Sequence, residues 1–256
     1  MQEQWEVGDR TEAGDPIILG TPRQSTWEAP ETHAENIEII EAFLEPIFGT
    51  GPTVFHEILS DKIHLDVLVY PPTDTRDDYI YVTCGMSDLP MALPEGVPPL
   101  EFARAELMLA LPRDWGDRIA ALETTTPEGD PDDVFWPVGA MKWLARYPHL
   151  ARTFLAPGHS LDHGGAFSES TRFNGFMLTV SSLLPSDREL PVLSTGEVLN
   201  FYGVVYLYPE EMELKTKKGA EVLFDRLSAQ GSPERLTLTR PSVVSKNPIL
   251  RLLKGD

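Results

Sequence analysis

The stretch IHLDVLVYPPTDTRDDYIYVTCGMSDLPM, residues 63–91, contains two apolar runs separated by a polar turn. Apolar residues occupy every second position from Ile63 to Val69, which predicts a β-strand that ends at the Pro-Pro pair. The run YIYVTC predicts a second strand, and Gly85 permits the tight turn that follows it. The stretch therefore predicts two neighbouring strands of a sheet, with a short loop after the second.

The sequence before and just after this stretch predicts further elements. Upstream, Thr32 and Glu35 form a capping-box pattern that begins a helix, and Gly49 ends it. The apolar positions of this helix are Ile37, Ile40, Leu44 and Ile47. The runs TVFHEIL and EFARAELMLALP predict two more strands, one before and one after the central stretch, and the Ala, Leu and Met residues of the second run equally suit a helix.

The second half of the chain predicts two helices and two strands around a turn-rich segment. Asp133 caps a helix that Pro148 ends, and residues 157–165 form a Gly-rich turn region. The runs FMLTVSS and NFYGVVYLY predict strands, and a last helix ends at Gly231. Because strands and helices occur in separate groups, the expected fold is an α+β domain with a mixed sheet and flanking helices.

The two ends of the chain lack this periodicity. Residues 1–31 are polar and acidic, so we expect a disordered tail there. Residues 32–235 form the expected folded domain. Residues 236–256, which include four basic side chains, are expected to be a second tail.

The composition limits the expected partners and location. The 256 residues carry a formal net charge of -19, which repels phosphate backbones and favours basic protein partners. Nucleic acid is therefore not an expected partner. A membrane is not expected either, because no apolar run approaches the ~18 residues of a span. A single cysteine and the lack of a signal-peptide pattern predict a cytoplasmic protein.

The end of the second strand and the loop after it contain two potential nucleophiles, Cys84 and Ser87. The Gly-x-Ser sequence lacks the second glycine of a nucleophile elbow, and a proline interrupts any helix after it. Cys84 shares a strand face with Ile80 and Val82, where a buried, inert thiol is expected. A structural role is therefore favoured for both residues.

Another candidate chemistry lies in the string HSLDH, residues 159–163. It resembles the inverted zinc motif His-x-x-Glu-His, with Asp in place of Glu. Two histidines four residues apart can share a metal on a helix, but the flanking prolines and glycines predict a turn. The favoured expectation is therefore that the protein binds no metal and no cofactor. A metal-dependent enzyme that uses His159 and His163 stays an alternative.

Five collinear stretches together resemble the Suppressor of fused domain family. They are IHLDVLVYPPT, YVTCGMSDLPM, RAELMLALPRDW, LARYPH with GHS after it, and VVYLYPEEMEL. The residues that match the family pattern are His64, Asp66, Tyr70, Pro71, Pro72, Thr83, Gly85, Met86, Ser87, Asp88, Arg104, Glu106, Leu107, Leu111, Pro112 and Trp115. The resemblance spans roughly Ile37 to Leu227 and is specific as a set.

This resemblance implies a protein-binding function. Animal members of the family bind and sequester transcription factors of the Hedgehog pathway, and they grip a short peptide by strand addition between two lobes. Bacterial members are proposed immunity proteins against toxins. Because this chain ends soon after the family domain, we expect the short bacterial form.

We therefore expect a non-catalytic protein-binding module, such as an immunity-type inhibitor whose acidic surface attracts a basic bacterial toxin. The alternative is an adaptor that adds a peptide strand to an exposed sheet edge. The candidate partner-binding residues are Gly85, Met86, Ser87, Asp88, Glu106 and His159.

Overall fold

The structure, a computed structural model, describes residues 5–21, 34–57, 62–122 and 130–244. The strands are β1 (Trp5–Arg10), β2 (Pro16–Gly20), β3 (Thr53–Phe55), β4 (Asp66–Tyr70), β5 (Asp78–Cys84), β6 (Arg104–Pro112), β7 (Ser160–Asp162), β8 (Gly175–Val180) and β9 (Leu199–Leu207). The helices are α1 (Ala34–Phe48), α2 (Pro99–Phe102), α3 (Asp114–Leu122), α4 (Pro131–Leu150), α5 (Pro209–Lys218) and α6 (Ala220–Ser228). A one-turn 3-10 helix, Met86–Asp88, follows β5. Parts of several predictions lie outside the described residues: Thr32, residues 1–4 and 22–31, residues 58–59, residues 124–129 and residues 245–256.

Seven of the described strands form one mixed sheet in the order β3-β4-β5-β6-β9-β8-β7. β6 and β9 run parallel, and each of the other neighbouring pairs is antiparallel. The sheet thus consists of two antiparallel units, β3 to β6 and β7 to β9, which meet along a β6–β9 seam. This mixed sheet with flanking helices confirms the predicted α+β fold class.

Both faces of the sheet are covered by helices. In β9, Tyr202, Val204 and Tyr206 lie in the core that includes α4. The alternate residues Phe201 and Val205 lie on the opposite face, in cores that include α1 and α6. A strand that is buried on both faces reads as a nearly continuous apolar run, as NFYGVVYLY does.

The predicted strands TVFHEIL and 63–69 are both shorter in the structure, on either side of a connection that is organised by Asp66. β3 ends at Phe55, because the next two residues turn toward the Asp66 carboxylate. His56 Nδ1 lies 3.0 Å from Asp66 Oδ2, and the Glu57 amide donates to Oδ1 at 2.9 Å. β4 accordingly begins at Asp66 rather than at Ile63.

α4 differs from its prediction at both ends. The helix is capped by Asp130, whose carboxylate accepts from the Asp132 amide at 2.9 Å, rather than by Asp133. Pro131 occupies the first helical position, where a missing N–H leaves no hydrogen bond unmade. The helix also continues past Pro148, which is buried, and ends at Leu150. Packing on the sheet therefore outweighs the one hydrogen bond that this proline removes.

Several short elements have no counterpart in the prediction, among them α3, α5 and β7. α5 begins after Tyr208, whose amide donates to the Glu211 carboxylate at 3.0 Å. Its sequence PEEMELKTKK is mostly polar, so hydrophobic periodicity does not reveal it. β7 lies within the predicted Gly-rich turn and has three residues. No helix in the described parts of the chain is long and apolar enough to cross a membrane.

Residues 5–20, which the sequence assigns to a disordered tail, form a hairpin. β1 and β2 pair with Val7 opposite Ile18, and the turn between them is closed by a hydrogen bond of 3.1 Å from the Asp15 amide to Thr11 Oγ1. The Ala13 amide donates to a carbonyl of α5 at 3.0 Å. Backbone hydrogen bonds rather than a buried apolar face hold this hairpin, which is why apolar periodicity does not predict it.

The segment after α6 belongs to the folded domain rather than to a tail. Leu236 is buried, and its amide donates to the Ala110 carbonyl of β6 at 2.9 Å. The Ala110 amide in turn donates to the Glu234 carbonyl at 3.1 Å. Further along, Arg240 donates two hydrogen bonds of 2.7 Å to the buried Glu211 carboxylate. Polar anchors rather than apolar periodicity fix this segment, so its sequence resembles that of a tail.

Candidate functional site

The loop after β5 is organised around one buried carboxylate, that of Glu106 in β6. Its Oε1 accepts hydrogen bonds from the Gly85 amide at 3.0 Å, the Ser87 amide at 2.9 Å and the Ser87 hydroxyl at 2.7 Å. Its Oε2 accepts from the Thr83 hydroxyl at 2.6 Å. A carboxyl group is expensive to bury without partners, so these four bonds are what make its burial tolerable.

The backbone of this loop requires glycine at position 85. Gly85 has φ 118°, in the left-handed region, and a Cβ there would overlap the carbonyl oxygen of His64. Beyond it, Arg104 Nη1 donates to the Ser87 carbonyl at 2.9 Å and to the Asp88 carbonyl at 2.8 Å. The start and the end of the one-turn helix are therefore both fixed by β6.

Two titratable groups at this loop have shifted pKa values. Burial raises the pKa of Glu106 to about 7, against the lowering effect of its hydrogen bonds. His149 Nε2 lies 3.1 Å from the Met86 carbonyl oxygen, and burial lowers the pKa of this histidine to about 4. The His149 ring is therefore neutral at pH 7, and its Nε2–H donates to the Met86 carbonyl.

Five of the six candidate partner-binding residues lie together in this cluster: Gly85, Met86, Ser87, Asp88 and Glu106. All five are buried. Their contacts position the loop, and a direct contact between them and a partner stays a prediction. The sixth residue, His159, lies beside β7, three strands away from β6 in the sheet.

The surroundings of Ser87 and Cys84 are those of structural residues. Ser87 is fully buried, and its hydroxyl donates to the Glu106 carboxylate. Burial raises the pKa of the Cys84 thiol, and the nearby Glu106 and Asp88 carboxyls raise it further. A thiol in such an environment stays protonated and unreactive at neutral pH.

His159 and His163 flank β7 and do not face a shared site. The extended backbone of this strand, where a turn was expected, separates residues four apart by ~13 Å. His159 lies edge-on to Phe154, with ring centroids 4.9 Å apart, whereas His163 lies edge-on to Trp143 at 5.4 Å. Across the ranges that the structure describes, no three His, Cys, Asp or Glu side chains are grouped to hold a metal.

An apolar groove of about 990 Å³ lies beside the end of β8. Its walls come from α1, α2 and the segment before it, the segment before β7, the end of β8, the β8–β9 connection and the start of β9. The apolar residues that line it include Phe43, Val97, Phe102, Phe154, Leu184 and Phe201. Val180 and Phe102 are 73% and 42% exposed, so large apolar side chains at this groove face solvent.

The backbone of β8 is open at Val180. The Ser181 amide donates to the Phe201 carbonyl of β9 at 3.3 Å. Since successive residues of an antiparallel strand direct their polar groups to opposite sides, Val180 directs its amide and carbonyl away from β9. These two groups therefore point to the outer side of β8, beside the groove.

A comparison within the same strand shows what Val180 lacks. Leu178, two residues earlier, has the same orientation, and its amide donates to the His159 carbonyl at 2.9 Å. Its carbonyl accepts from the Gly158 amide at 2.7 Å. Next along that neighbouring segment is Pro157, which has no amide hydrogen. Within the described residues, the outward amide and carbonyl of Val180 have no hydrogen-bond partner.

A second buried glutamate fixes the end of β8 beside the groove. The Glu234 carboxylate accepts from the Ser181 hydroxyl at 2.8 Å, the Ser182 amide at 2.7 Å and the Thr179 hydroxyl at 3.2 Å. A side chain at Gly203 of β9 would overlap this carboxyl group. Glycine at position 203 therefore leaves room for the Glu234 side chain to reach β8. The Glu234 carboxylate in turn holds the end of β8 in a defined conformation.

The rim of the groove is acidic. Glu95, Glu101, Asp187 and Glu189 are exposed, and each is next to or between residues that line the groove. Arg188 lies in the wall, where its guanidinium stacks over Phe43 at 4.9 Å and donates to the carbonyl of that residue at 3.0 Å. Its charge is thus engaged with the wall, whereas the four carboxylates named above are exposed to solvent.

Sequence reasoning did not identify this groove. Val180 falls inside the predicted strand FMLTVSS, and nothing in those letters shows where pairing on the outer side stops. One usable signal is Pro157, which cannot donate to a neighbouring strand. The relation between Pro157 and Val180 depends on the strand register, which single-sequence patterns do not supply.

Comparison with known proteins yields one family. The sequence model of the family described as Suppressor of fused protein (SUFU) matches residues 61–241. No functionally curated protein sequence matches the chain.

Three solved structures resemble the chain. The Sufu protein of a Sufu–Fu complex is 16% identical, with a TM-score of 0.59 over 89% of this chain and 99% of that chain. A Suppressor of fused homologue from Neisseria gonorrhoeae is 14% identical, with a TM-score of 0.52 over 83% and 98%. Drosophila Suppressor of Fused is 15% identical, with a TM-score of 0.59 over 90% of this chain and 55% of its own length. At these identities the structures show a shared fold.

Proposed function

The chain belongs to the Suppressor of fused protein family, and we propose that it is a non-catalytic protein-binding module that takes an extended partner segment onto the edge of β8. One observation carries this proposal: the outward amide and carbonyl of Val180 lie beside an open apolar groove. An extended peptide uses both features, because its backbone pairs with a strand edge and its alternate side chains enter pockets.

The two features contribute differently to binding. Each main-chain hydrogen bond to Val180 contributes about 1 kcal/mol and fixes the register of the incoming strand. Each apolar side chain that is buried in the groove contributes about 1.5–3 kcal/mol. Apolar anchors therefore determine most of the affinity, and Val180 determines how the segment is aligned.

The charge around the groove indicates the kind of segment. The four exposed carboxylates on the rim, in a chain with a net charge of -19, favour an apolar segment that is flanked by Lys or Arg. The complex of the similar Sufu protein with Fu supports a protein as the partner. We further propose that this binding masks a basic bacterial toxin, which would make the chain an immunity-type inhibitor.

Selection from a displayed peptide library tests the binding mode. We expect the wild-type chain to enrich peptides with apolar residues at alternate positions and basic flanks. Phe102→Asp places a charge in the groove and is expected to abolish the enrichment. The matched control is Val222→Asp on α6, which changes a similarly exposed side chain, 37% against 42%, outside the groove. Enrichment that survives Phe102→Asp would contradict the proposed site.

Co-expression with the protein that is encoded next to this gene tests the toxin role. We expect that neighbour to arrest growth and the wild-type chain to restore it, whereas the Phe102→Asp chain does not. The association rate should also fall as salt rises from ~20 mM to ~500 mM, because screening removes long-range attraction. A harmless neighbour, or an association rate that is independent of salt, would argue for a peptide adaptor with a neutral partner.

A further inference from the structure

A second cavity, of about 490 Å³, lies beneath the N-terminal hairpin. The hairpin forms one wall, and α5 and the segment around β7 form the others. It shares Phe154, Leu155 and Pro157 with the groove, so one short segment separates the two. Nothing in the proposed partner binding uses this cavity.

Three polar groups in the walls of this cavity lack hydrogen-bond partners among the described residues. Lys215 is 7% exposed, and its closest acidic atom is Asp15 Oδ2, at 3.6 Å, which is too long for a hydrogen bond. Asp15 Oδ2 is itself buried without a hydrogen-bond partner. The Thr153 hydroxyl, on a residue that is 2% exposed, has no partner either.

The charges of these groups define what fits between them. An anion would gain from Lys215 but would be repelled by Asp15, and a cation would meet the opposite problem. A neutral group with a donor and an acceptor side by side satisfies both, because its C=O accepts from the ammonium and its N–H donates to the carboxylate. The Thr153 hydroxyl can donate to or accept from the same group.

The remaining walls are apolar or aromatic. Ile17, Leu161 and Met212 line the cavity together with Phe154. The ring of His159 also lines it, and burial and the nearby Lys215 lower the pKa of this histidine, which keeps it neutral. A compact apolar ring with one polar edge therefore matches the cavity better than a charged or strongly hydrated solute.

We propose that this cavity binds a small neutral ring with an N–H and a C=O on one edge, as in a lactam or cyclic imide. Asp15 accepts from the ligand N–H, and Lys215 donates to the ligand C=O. Because Asp15 lies on the hairpin and Lys215 on α5, the ligand joins the two elements. The only backbone bond between them that the described residues show runs from the Ala13 amide to the Thr216 carbonyl, at 3.0 Å.

Titration with three seven-membered rings tests the proposal: caprolactam, N-methylcaprolactam and cycloheptanone. Amide NMR shifts of the full chain give the affinities. We expect roughly millimolar binding for caprolactam and about tenfold weaker binding for the other two, which lack the N–H. We also expect caprolactam, but not the ketone, to slow hydrogen exchange at the Ala13 amide.

Variants separate the polar edge from the apolar walls. Asp15→Ala should reduce the affinity for caprolactam to that for cycloheptanone, because the hairpin turn uses the backbone rather than the carboxylate of Asp15. Lys215→Met should do the same, whereas Lys217→Met on the exposed side of the same helix should change nothing. Equal affinity for lactam and ketone, wild-type affinity in Asp15→Ala, or no shift at tens of millimolar lactam would each overturn the proposal. Partner binding through the groove is read out separately, so its failure would leave this result unaffected.

Discussion

The loop after β5 and the end of β8 show two opposite ways of treating polar groups. In the loop, Glu106 accepts four hydrogen bonds, and the residues around it are buried. At Val180, an amide and a carbonyl point outward beside exposed apolar side chains. The first region is complete within the described chain, whereas the second has the hydrogen-bonding capacity and the apolar surface that a partner would complete.

This difference shows that a distinctive sequence motif and a binding surface need not lie in the same region of the molecule. In the Thr-Cys-Gly-Met-Ser-Asp sequence, the hydroxyls of Thr83 and Ser87 bond to Glu106, and Gly85 supplies the left-handed backbone of the loop. The groove has no comparable motif, because an open edge needs only a strand whose neighbour stops early. A search for function that follows the motif alone leads to the first region.

Loss of the Glu106 carboxylate should have the largest effect on the first region. Glu106→Ala leaves the Thr83 hydroxyl and the Gly85 and Ser87 amides buried without an acceptor, so we expect the free energy of unfolding to fall by about 3–5 kcal/mol. Urea denaturation measures this. The control Glu101→Ala removes an exposed carboxylate and should change the free energy by less than ~0.5 kcal/mol. A loss below ~1 kcal/mol in Glu106→Ala would mean that water replaces the carboxylate in the loop.

The pH dependence of stability should separate Glu106 from His149. The pKa of Glu106 is raised from 4.5 to about 7 on folding, so its contribution is full below pH 4.5 and is lost as pH rises through 7. The pKa of His149 is lowered from 6.5 to about 4, so its contribution is full above pH 6.5 and is lost as pH falls through 4. The two slopes oppose each other between pH 4.5 and 6.5.

Glu106→Gln should therefore reveal the slope that His149 contributes. We expect the stability of this variant to rise by roughly 3 kcal/mol from pH 4 to pH 6.5, whereas the wild-type curve is flatter over the same range. Urea unfolding at a series of pH values measures both curves. Parallel curves for the two proteins would show that Glu106 does not titrate in this range.

Removal of residues 1–20 should have a smaller effect. Val7, Ile17 and Leu19 are 41–54% exposed, so the hairpin buries little apolar surface. Its one backbone hydrogen bond to α5 within the described residues runs from the Ala13 amide, and Asp15 Oδ2 lies 3.6 Å from Lys215 Nζ without a hydrogen bond. We expect the free energy of unfolding to fall by about 1 kcal/mol, as a shift of a few degrees in Tm. A loss as large as that of Glu106→Ala would place the hairpin in the folding core.

Val180→Pro should have the smallest effect on stability and a large one on binding. The proline removes an outward N–H that has no partner in the described residues, and edge strands tolerate such a change. We expect the free energy of unfolding to change by less than ~0.5 kcal/mol, while affinity for a selected peptide falls about tenfold. The control is Val222→Ala on α6, an exposed residue outside the groove. Val192→Pro is unsuitable, because Val192 pairs with Val198. Unchanged affinity in Val180→Pro would remove strand addition from the proposal.

Much of the fold is predictable from the sequence because it depends on local patterns. The alternation from Ile63 to Val69 and the helical spacing from Ile37 to Ile47 both mark real elements. The hairpin over residues 5–20 and the segment around Leu236 are not predictable in this way. Backbone hydrogen bonds and ion pairs hold them, and these leave no apolar period.

The candidate site is less predictable than the fold, because it depends on contacts between distant residues. The family pattern includes Glu106 and Ser87, but only the structure shows that Glu106 of β6 binds Ser87 of the one-turn helix after β5. The open edge at Val180 depends on where a neighbouring strand ends. Lys215 is hidden in a polar helix, and its burial follows from the hairpin, which the sequence assigns to a tail.

The segment Glu234–Leu236 also sets an order of assembly for the chain. Its backbone bonds to Ala110 of β6, and its carboxylate bonds to the end of β8, so it links the two units on either side of the β6–β9 seam. The β3–β6 unit leaves the ribosome long before β9, and this linking segment emerges after α6. A nascent chain that stops short of Glu234 can thus form each antiparallel unit and the β6–β9 pairing, but it lacks the bonds from this segment to Ala110 and to the end of β8. Until that segment emerges, the end of β6 at Ala110, beyond the residues that pair with β9, is an unpaired strand edge.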